Sequence, residues 1–183
     1  MEKQSRRILD LFIRYFLLLL AGMGNIYIFY KILTPITIQS VGAIVSLFTR
    51  TITAGNLILI KGAIIEIVPA CVAGAAFYLM FILIFSTAEV KLKKRLLSLV
   101  TAIVILFSLN ILRIVFLILI VDKTYFPTTH WILWHFTSTI FVVAIWFFIV
   151  KIYKIESIPF YSDIKYIFSL RKSGKKSKRK KKN

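Results

Sequence analysis

The residues with the clearest capacity for chemistry in this sequence are one cysteine, one arginine inside an apolar segment and two histidines. Cys71 is the only cysteine, Arg113 interrupts a run of leucine, isoleucine and valine, and His130 and His135 are the only histidines. A thiolate is a strong nucleophile, an imidazole accepts and returns a proton, and a guanidinium stabilises an oxyanion. Together these groups predict acyl transfer through a cysteine thioester.

Two arginines lie within apolar segments, where a charge near the bilayer centre costs roughly 2.5–3.5 kcal/mol on insertion scales. Arg14 lies near the start of its segment, where its side chain can reach the membrane surface. Arg113 lies about 12 Å from the end of its helix, and Asn110, three residues earlier, shares its helix face. The pair is therefore expected to point into the protein, where it either supports catalysis or acts as a structural polar clamp between helices.

The two histidines begin the same apolar segment at different depths. His130 lies at its edge, close to Pro127, whereas His135 is about 7–8 Å deeper. Ser138 and Thr139 follow His135 at helical spacing and extend a polar stripe on its face. We therefore predict His135 as the general base, with His130 as the alternative. Neither histidine has acidic or cysteine neighbours at ligand spacing, so we predict no metal or other cofactor.

The composition predicts that membrane helices position these side chains. Of 183 residues 59% are apolar and the mean hydropathy is +0.85, whereas a soluble domain is roughly 45–50% apolar. A single cysteine excludes an intrachain disulfide and a CxxC site. We predict an all-α integral membrane fold, a bundle of about four transmembrane helices of bilayer-spanning length. The segments are Ile8–Tyr30, Cys71–Ala88, Leu96–Val121 and His130–Val150.

The net charge of +18 indicates membrane topology rather than nucleic-acid binding. Lysine and arginine are concentrated before the first span, in Lys91–Arg95 and after Val150, and such segments are typically cytoplasmic. Both termini are then cytoplasmic, and the cysteine, the arginine and the histidines lie towards the outer face. We predict one transmembrane domain, residues 1–150, and a basic cytoplasmic tail, residues 151–183. Its lysine-rich end, Ser169–Asn183, is predicted to be disordered and to bind lipid headgroups.

An outer segment, residues 31–70, is predicted to precede the cysteine. Ile36–Phe48 is short and contains polar residues, which favours a helix in the outer interface or a re-entrant helix over a fifth span. Asn56–Val68 has two β-branched runs separated by Lys61 and Gly62, a pattern typical of a short β-hairpin. The hairpin is expected at the membrane surface, because an open sheet edge cannot face lipid.

Three stretches of the sequence resemble the exosortase/archaeosortase family of membrane transpeptidases, in its compact, archaeal-type form. The first is TAGNLILIKGAIIEIVPACVAG (Thr53–Gly74), which is similar to the family's β-like segment and cysteine motif. The second is NILRI (Asn110–Ile114), and the third is WHFTSTIFVVAIWFF (Trp134–Phe148), which looks like the family's histidine helix. The order Cys, Arg, His and the spacings of 42 and 22 residues also agree. Family members often have serine after the cysteine and glycine soon after the histidine, where this chain has Val72 and a Thr/Ser run.

The resemblance implies that Cys71 attacks a peptide carbonyl, Arg113 stabilises the oxyanion and His135 transfers protons. It implies substrates that are membrane-anchored proteins ending in a short motif, a transmembrane helix and a basic tail. The enzyme would cleave this sorting signal through a thioester and pass the protein to an acceptor, for which a lipid amine is the candidate. Its partners would be these proteins and membrane lipids, in the cell membrane. The alternative is a non-catalytic membrane assembly or binding protein of the same fold, with a structural Arg/Asn clamp.

Overall fold

The chain folds into apolar helices with a small antiparallel sheet at one end. The computed structural model describes residues 2–23, 27–60 and 63–168, without the side chains of residues 2–7, 28, 137 and 138. The helices are α1 (Glu2–Gly22), α2 (Tyr27–Ser46), α3 (Pro69–Val72), α4 (Gly74–Phe85), α5 (Leu92–Leu119), α6 (Phe126–His135) and α7 (Val142–Ile152), with a π-helical segment, Phe136–Phe141, joining the last two. The strands are β1 (Thr51–Ala54), β2 (Leu57–Ile60) and β3 (Ala63–Glu66). Residues 161–168 form a further helix.

Two helical segments of the described chain are long and apolar enough to cross a membrane. They are α5, with 28 residues, and the continuous run Phe126–Ile152, with 27 residues. By comparison α4 is apolar but has only 12 residues, which corresponds to about 18 Å of helix. The predicted mainly helical architecture is thus confirmed, two helices have the length and composition of membrane spans, and the count of four spans stays a prediction.

The first predicted span, Ile8–Tyr30, is wrong in its bounds. The structure ends α1 at Gly22 and begins α2 at Tyr27. The intervening sequence contains glycine and asparagine, residue types that end helices. The α2 helix then continues through Pro35 to Ser46. Ile36–Phe48, predicted as a separate interfacial or re-entrant helix, is therefore mostly the second half of α2, held by packing of its buried valines against the sheet and α5.

The predicted hairpin is confirmed, and a third strand extends it. The sheet has the order β1-β2-β3, both pairs are antiparallel, and Ile60 lies opposite Ala63. The turn residues Lys61 and Gly62 lie outside the described residues. The additional strand β1 reaches β2 through a turn at Gly55, whose positive φ of 60° suits glycine. Gly55-Asn56 between β-branched runs was the sequence signal for this turn.

Helix α5 connects two apolar clusters of the core. One cluster packs α5 against α1, α4 and α7, and includes Met80, Leu106 and Ile149, all fully buried. The other packs α5 against α2 and the inner face of the sheet, and includes Val41, Ile58 and Ile114. Because α5 belongs to both clusters, its side chains have fixed positions relative to the other helices and the sheet.

The segments with the most basic sequence meet at one end of the helices. Arg14 of α1 forms two hydrogen bonds of 2.9 Å with the carboxylate of Asp163, in the helix 161–168. Arg95, in the first turn of α5, donates to the Thr87 carbonyl at 2.9 Å, and Lys94 donates to the Lys154 carbonyl at 3.1 Å. Arg14 is therefore buried in an ion pair rather than extended to the membrane surface. The tail is structured at least to residue 168, and the predicted disorder of Ser169–Asn183 lies outside the described residues.

Candidate active site

Cys71 lies just after the sheet, at the point where the chain turns from strand to helix. Strand β3 ends at Glu66, and Pro69 begins the four-residue helix α3 that carries Cys71. Proline suits this position because its fixed φ matches the helix and its missing N–H has no partner there in any case. The Cys71 amide donates to the Val68 carbonyl at 2.8 Å, and the Cys71 side chain is half-buried. A short turn thus fixes the cysteine at the edge of the core.

The backbone of Cys71 is held by Asn110 and Arg113. The chain breaks between α3 and α4 at Ala73, which has a left-handed conformation (φ 59°, ψ 32°) uncommon for alanine. A carbonyl in the last turn of a helix lacks a partner within that helix. The Cys71 carbonyl instead accepts hydrogen bonds from Asn110 Nδ2 and Arg113 Nη2, each at 3.1 Å. As the spacing predicts, both side chains point into the protein, with exposed fractions of 0% and 6%.

A cavity of about 220 Å³ joins three of the predicted site residues. Cys71 from α3, Arg113 from α5 and His130 from α6 all line it. The remaining lining is mostly apolar and comes from the end of β3, from α5 and from the region around the start of α6: Ile65, Glu66, Ile67, Val68, Ile114, Leu117, Ile118, Val121 and Phe126. Residues that can supply a nucleophile, a cation and a base therefore share one largely apolar cavity.

Two buried polar atoms at this site lack a hydrogen-bond partner among the described residues. They are Arg113 Nε and Asn110 Oδ1. A buried polar atom without a partner costs about 1–3 kcal/mol. Arg113 also lines the cavity, so its guanidinium lies close to any carbonyl or carboxylate oxygen bound there.

The structure does not bring His135 to this cavity. Its side chain is exposed, its Nδ1 lies 2.9 Å from the Trp131 carbonyl, and its ring contacts Trp131 and Trp134 at centroid distances of 4.2 and 4.9 Å. The physical reason is the rotation of the helix between the two histidines. His130 lies one turn after Phe126 on the same face, and His135, five residues further along α6, points about 140° away from His130. Thr139 is also exposed, so the predicted inward polar stripe does not include it, and the side chain of Ser138 lies outside the described part of the chain.

The residues that form the cavity wall were not predicted from the sequence. Phe126 stacks on His130 with ring centroids 5.9 Å apart, and both line the cavity. Pro127 indicates that a helix begins close to Phe126, and two residues four apart are neighbours on a helix. The sequence therefore contained the information needed to predict the contact between Phe126 and His130. Residues 65–68 also line the cavity, and the only indication of this in the sequence is that they lie directly before the turn that carries Cys71.

The fold and the cavity define a protein of apolar helices with a cysteine, an arginine and a histidine grouped beside a small sheet. No protein-family model, curated protein or solved structure matches the chain. The geometry of the cavity and the chemistry of the three residues are therefore the basis for a function.

Proposed function

We propose that this protein is a membrane cysteine peptidase and transpeptidase that removes C-terminal sorting signals from membrane-anchored proteins. The observation that carries the proposal is the single cavity lined by Cys71, Arg113 and His130, which come from three different helices. The sequence resemblance to exosortases and archaeosortases supports the same chemistry. In this proposal His130 takes the role of base, because it lines the cavity and His135 does not, although both side chains are exposed.

The first half-reaction forms a thioester. His130 accepts the proton of the Cys71 thiol, and the thiolate attacks the carbonyl carbon of the scissile peptide bond. The developing oxyanion accepts a hydrogen bond from Arg113, whose Nε is otherwise without a partner among the described residues. The protonated His130 then donates its proton to the leaving amine as the C–N bond breaks, which releases the C-terminal helix and leaves an acyl group on the sulfur.

The second half-reaction resolves the thioester. An incoming amine gives its proton to His130 and attacks the thioester carbonyl, Arg113 again stabilises the oxyanion, and the C–S bond breaks with return of the proton to the thiolate. A lipid amine as acceptor would leave the cleaved protein attached to the membrane. Water in the same position would give simple hydrolysis.

The positions of the cavity and of the basic segments support a site near the outer face. Arg95, at the end where the basic segments meet, precedes Arg113 by 18 residues of α5, or about 27 Å. This is close to the thickness of the hydrocarbon core. With the basic end in the cytoplasm, the cavity lies near the outer interface. A peptide bond just outside the membrane helix of another protein would reach it there.

Replacing each histidine in turn with alanine tests which one is the general base. His130→Ala is expected to lower processing by about 10²–10⁴-fold, the usual contribution of a general base, whereas His135→Ala retains processing. The measurement is the fraction of membrane proteins that keep their C-terminal helix, determined by mass spectrometry in cells whose own copy carries the variant. Loss of processing in His135→Ala with normal processing in His130→Ala would contradict the assignment.

A second candidate function has an observation in its favour. Asn110 and Arg113 both bind the main-chain carbonyl of Cys71, as expected of a clamp that stabilises the α3–α4 break in a non-catalytic assembly protein. Such a clamp needs the carbonyl and not the thiol. The two functions therefore differ in what they require of the two clamp residues.

Asn110→Leu and Arg113→Met form a matched pair that separates the two functions. Each variant removes one 3.1 Å hydrogen bond to the same carbonyl, and each is expected to lower the free energy of unfolding by about 0.5–1.5 kcal/mol. Only Arg113 lines the cavity, so the enzyme hypothesis predicts that Arg113→Met alone loses a further ~10²–10³-fold in processing rate. Equal effects of the two variants in the mass-spectrometric assay would favour the clamp.

A further inference from the structure

Strand β3 is an edge strand that leads directly to the cysteine. On one side it pairs with β2, and within the described part of the chain no strand pairs with its other side. Four residues separate its last residue, Glu66, from Cys71. An unpaired strand edge presents a row of backbone donors and acceptors that can bind another extended chain.

The register of the hairpin identifies the backbone groups on the free edge. Ile60 and Ala63 face each other across a two-residue turn, which makes them a hydrogen-bonded pair. Bonded pairs then alternate along the strand, and the bond from the Ile67 amide to the Asn56 carbonyl at 2.9 Å continues the alternation. Ile64 and Glu66 therefore direct their N–H and C=O groups away from β2, towards the free edge.

The cavity runs along this edge as far as Cys71. It contacts Ile65 and Glu66, the last two residues of β3, and then Ile67 and Val68, which connect the strand to α3. Successive side chains of a strand point to opposite faces, so a cavity that contacts both Ile65 and Glu66 passes the edge of the strand rather than one face. The opposite wall is apolar and comes from α5 and α6, with Ile114, Leu117 and Phe126. The edge, the apolar wall and the cysteine thus form one continuous groove.

We propose that this groove binds the substrate residues preceding the scissile bond as an extended apolar peptide, paired in parallel with β3. The inference rests on the proposed function. The chain direction of β3 predicts parallel pairing. From its N-terminus to its C-terminus, β3 runs towards the helices α3 and α4. The substrate motif likewise runs from N-terminus to C-terminus towards the membrane helix that follows it. The peptide pairs with the free groups of Ile64 and Glu66, and its scissile carbonyl then reaches Cys71 and the free Nε of Arg113.

The test on the unaltered protein uses alkylation of Cys71 by peptidyl chloromethyl ketones. In this reaction the thiolate forms a C–S bond and chloride leaves. The purified full chain in detergent is treated with acetylated peptides of one, two and four residues of alternating valine and alanine, and labelling is followed by mass spectrometry. Each hydrogen bond between peptide and strand is expected to raise the second-order rate by about 3- to 10-fold, so the four-residue peptide labels fastest.

N-methylation of single amides in the four-residue peptide separates strand pairing from general apolar binding. Adjacent amides of an extended peptide point in opposite directions, so only alternate ones face β3. Methylation of an amide that faces the strand is expected to remove about 3- to 10-fold in rate, and methylation of its neighbour is expected to leave the rate unchanged. Equal effects at adjacent positions would overturn the proposal.

Two variants of one residue test the strand itself. Glu66→Ala removes the side chain, which accepts a 2.8 Å hydrogen bond from Asn56, but keeps the backbone N–H. Glu66→Pro removes the outward N–H as well, at an edge position where proline is tolerated. The rate advantage of the long peptide is expected to be about 3- to 10-fold smaller in Glu66→Pro than in Glu66→Ala, with each rate divided by that of iodoacetamide labelling of Cys71 in the same variant.

The outcomes distinguish this inference from the proposed function. If all peptide lengths label Cys71 at the rate of the single residue, as when a lipid chain fills the groove, strand pairing is refuted and the cysteine chemistry can still stand. If Cys71→Ala has no effect on processing in cells, the proposed function is refuted whatever the peptides show.

Discussion

Replacing Cys71 with alanine is expected to abolish processing of C-terminal sorting signals, by about 10⁴-fold or more, without lowering the stability of the protein. The thiol is the proposed nucleophile, and loss of a nucleophile removes the covalent pathway altogether. The fold should tolerate the change because Asn110 and Arg113 bind the main-chain carbonyl of residue 71, which alanine retains. The side chain itself is only half-buried.

The measurement combines processing in cells with thermal unfolding of the purified variant. Ala70→Ser is a suitable control, since Ala70 is exposed in the same short helix and should retain both processing and the melting temperature. Cys71→Ser is expected to be inactive, because a hydroxyl is a far weaker nucleophile at neutral pH. Normal processing in Cys71→Ala would exclude a thioester mechanism and leave the structural clamp as the better explanation.

Features with a local signal could be predicted from the sequence. The apolar run around Arg113 predicted α5, and the three-residue spacing of Asn110 and Arg113 placed both side chains on one inward face. The two β-branched runs on either side of Lys61-Gly62 predicted the pairing of β2 with β3. In each case the information lies within a few residues, where helix and strand periodicities apply directly.

The choice between the histidines could not be predicted, because it depends on which face of α6 packs towards Cys71. The two side chains point about 140° apart, so only one of them can line the cavity. The structure begins α6 at Phe126, and four residues later His130 faces the cavity. The break at Ala73 has no local signal either, since alanine strongly favours helix, and contacts from α5 support the broken conformation.

Contacts between distant residues were also beyond the sequence analysis. Arg14 and Asp163 are 149 residues apart, and neither has a neighbour that indicates the other. From its position alone, Arg14 was expected to reach the membrane surface. It is instead buried with Asp163, and the Tyr15 hydroxyl donates a third hydrogen bond to that carboxylate at 3.2 Å. This ion pair attaches the segment after α7 to the first helix.

Breaking this ion pair is expected to cause the largest loss of stability in the molecule. Arg14→Met leaves the Asp163 carboxylate buried without its cation and should lower the free energy of unfolding by about 3–5 kcal/mol. Asp163→Asn should cost less, because Arg14 keeps a 2.9 Å bond to Asp10 and a 3.3 Å bond to the Phe85 carbonyl. The measurement is chemical denaturation of the purified variants in detergent micelles.

Two further variants establish that burial, rather than charge alone, determines the size of this effect. Asp10 is 52% exposed and pairs with the same arginine, so Asp10→Asn should change the free energy of unfolding by only about 0–1 kcal/mol. The double variant Arg14→Met with Asp163→Leu leaves no buried charge and should recover most of the stability lost in Arg14→Met, because an apolar pair of similar volume is often as stable as a buried ion pair. If the double variant is no more stable than Arg14→Met, burial of an unpaired charge does not explain the loss of stability. The packing of residues 161–168 would then depend on the specific hydrogen bonds of Asp163 with Arg14 and Tyr15 rather than on charge neutralisation.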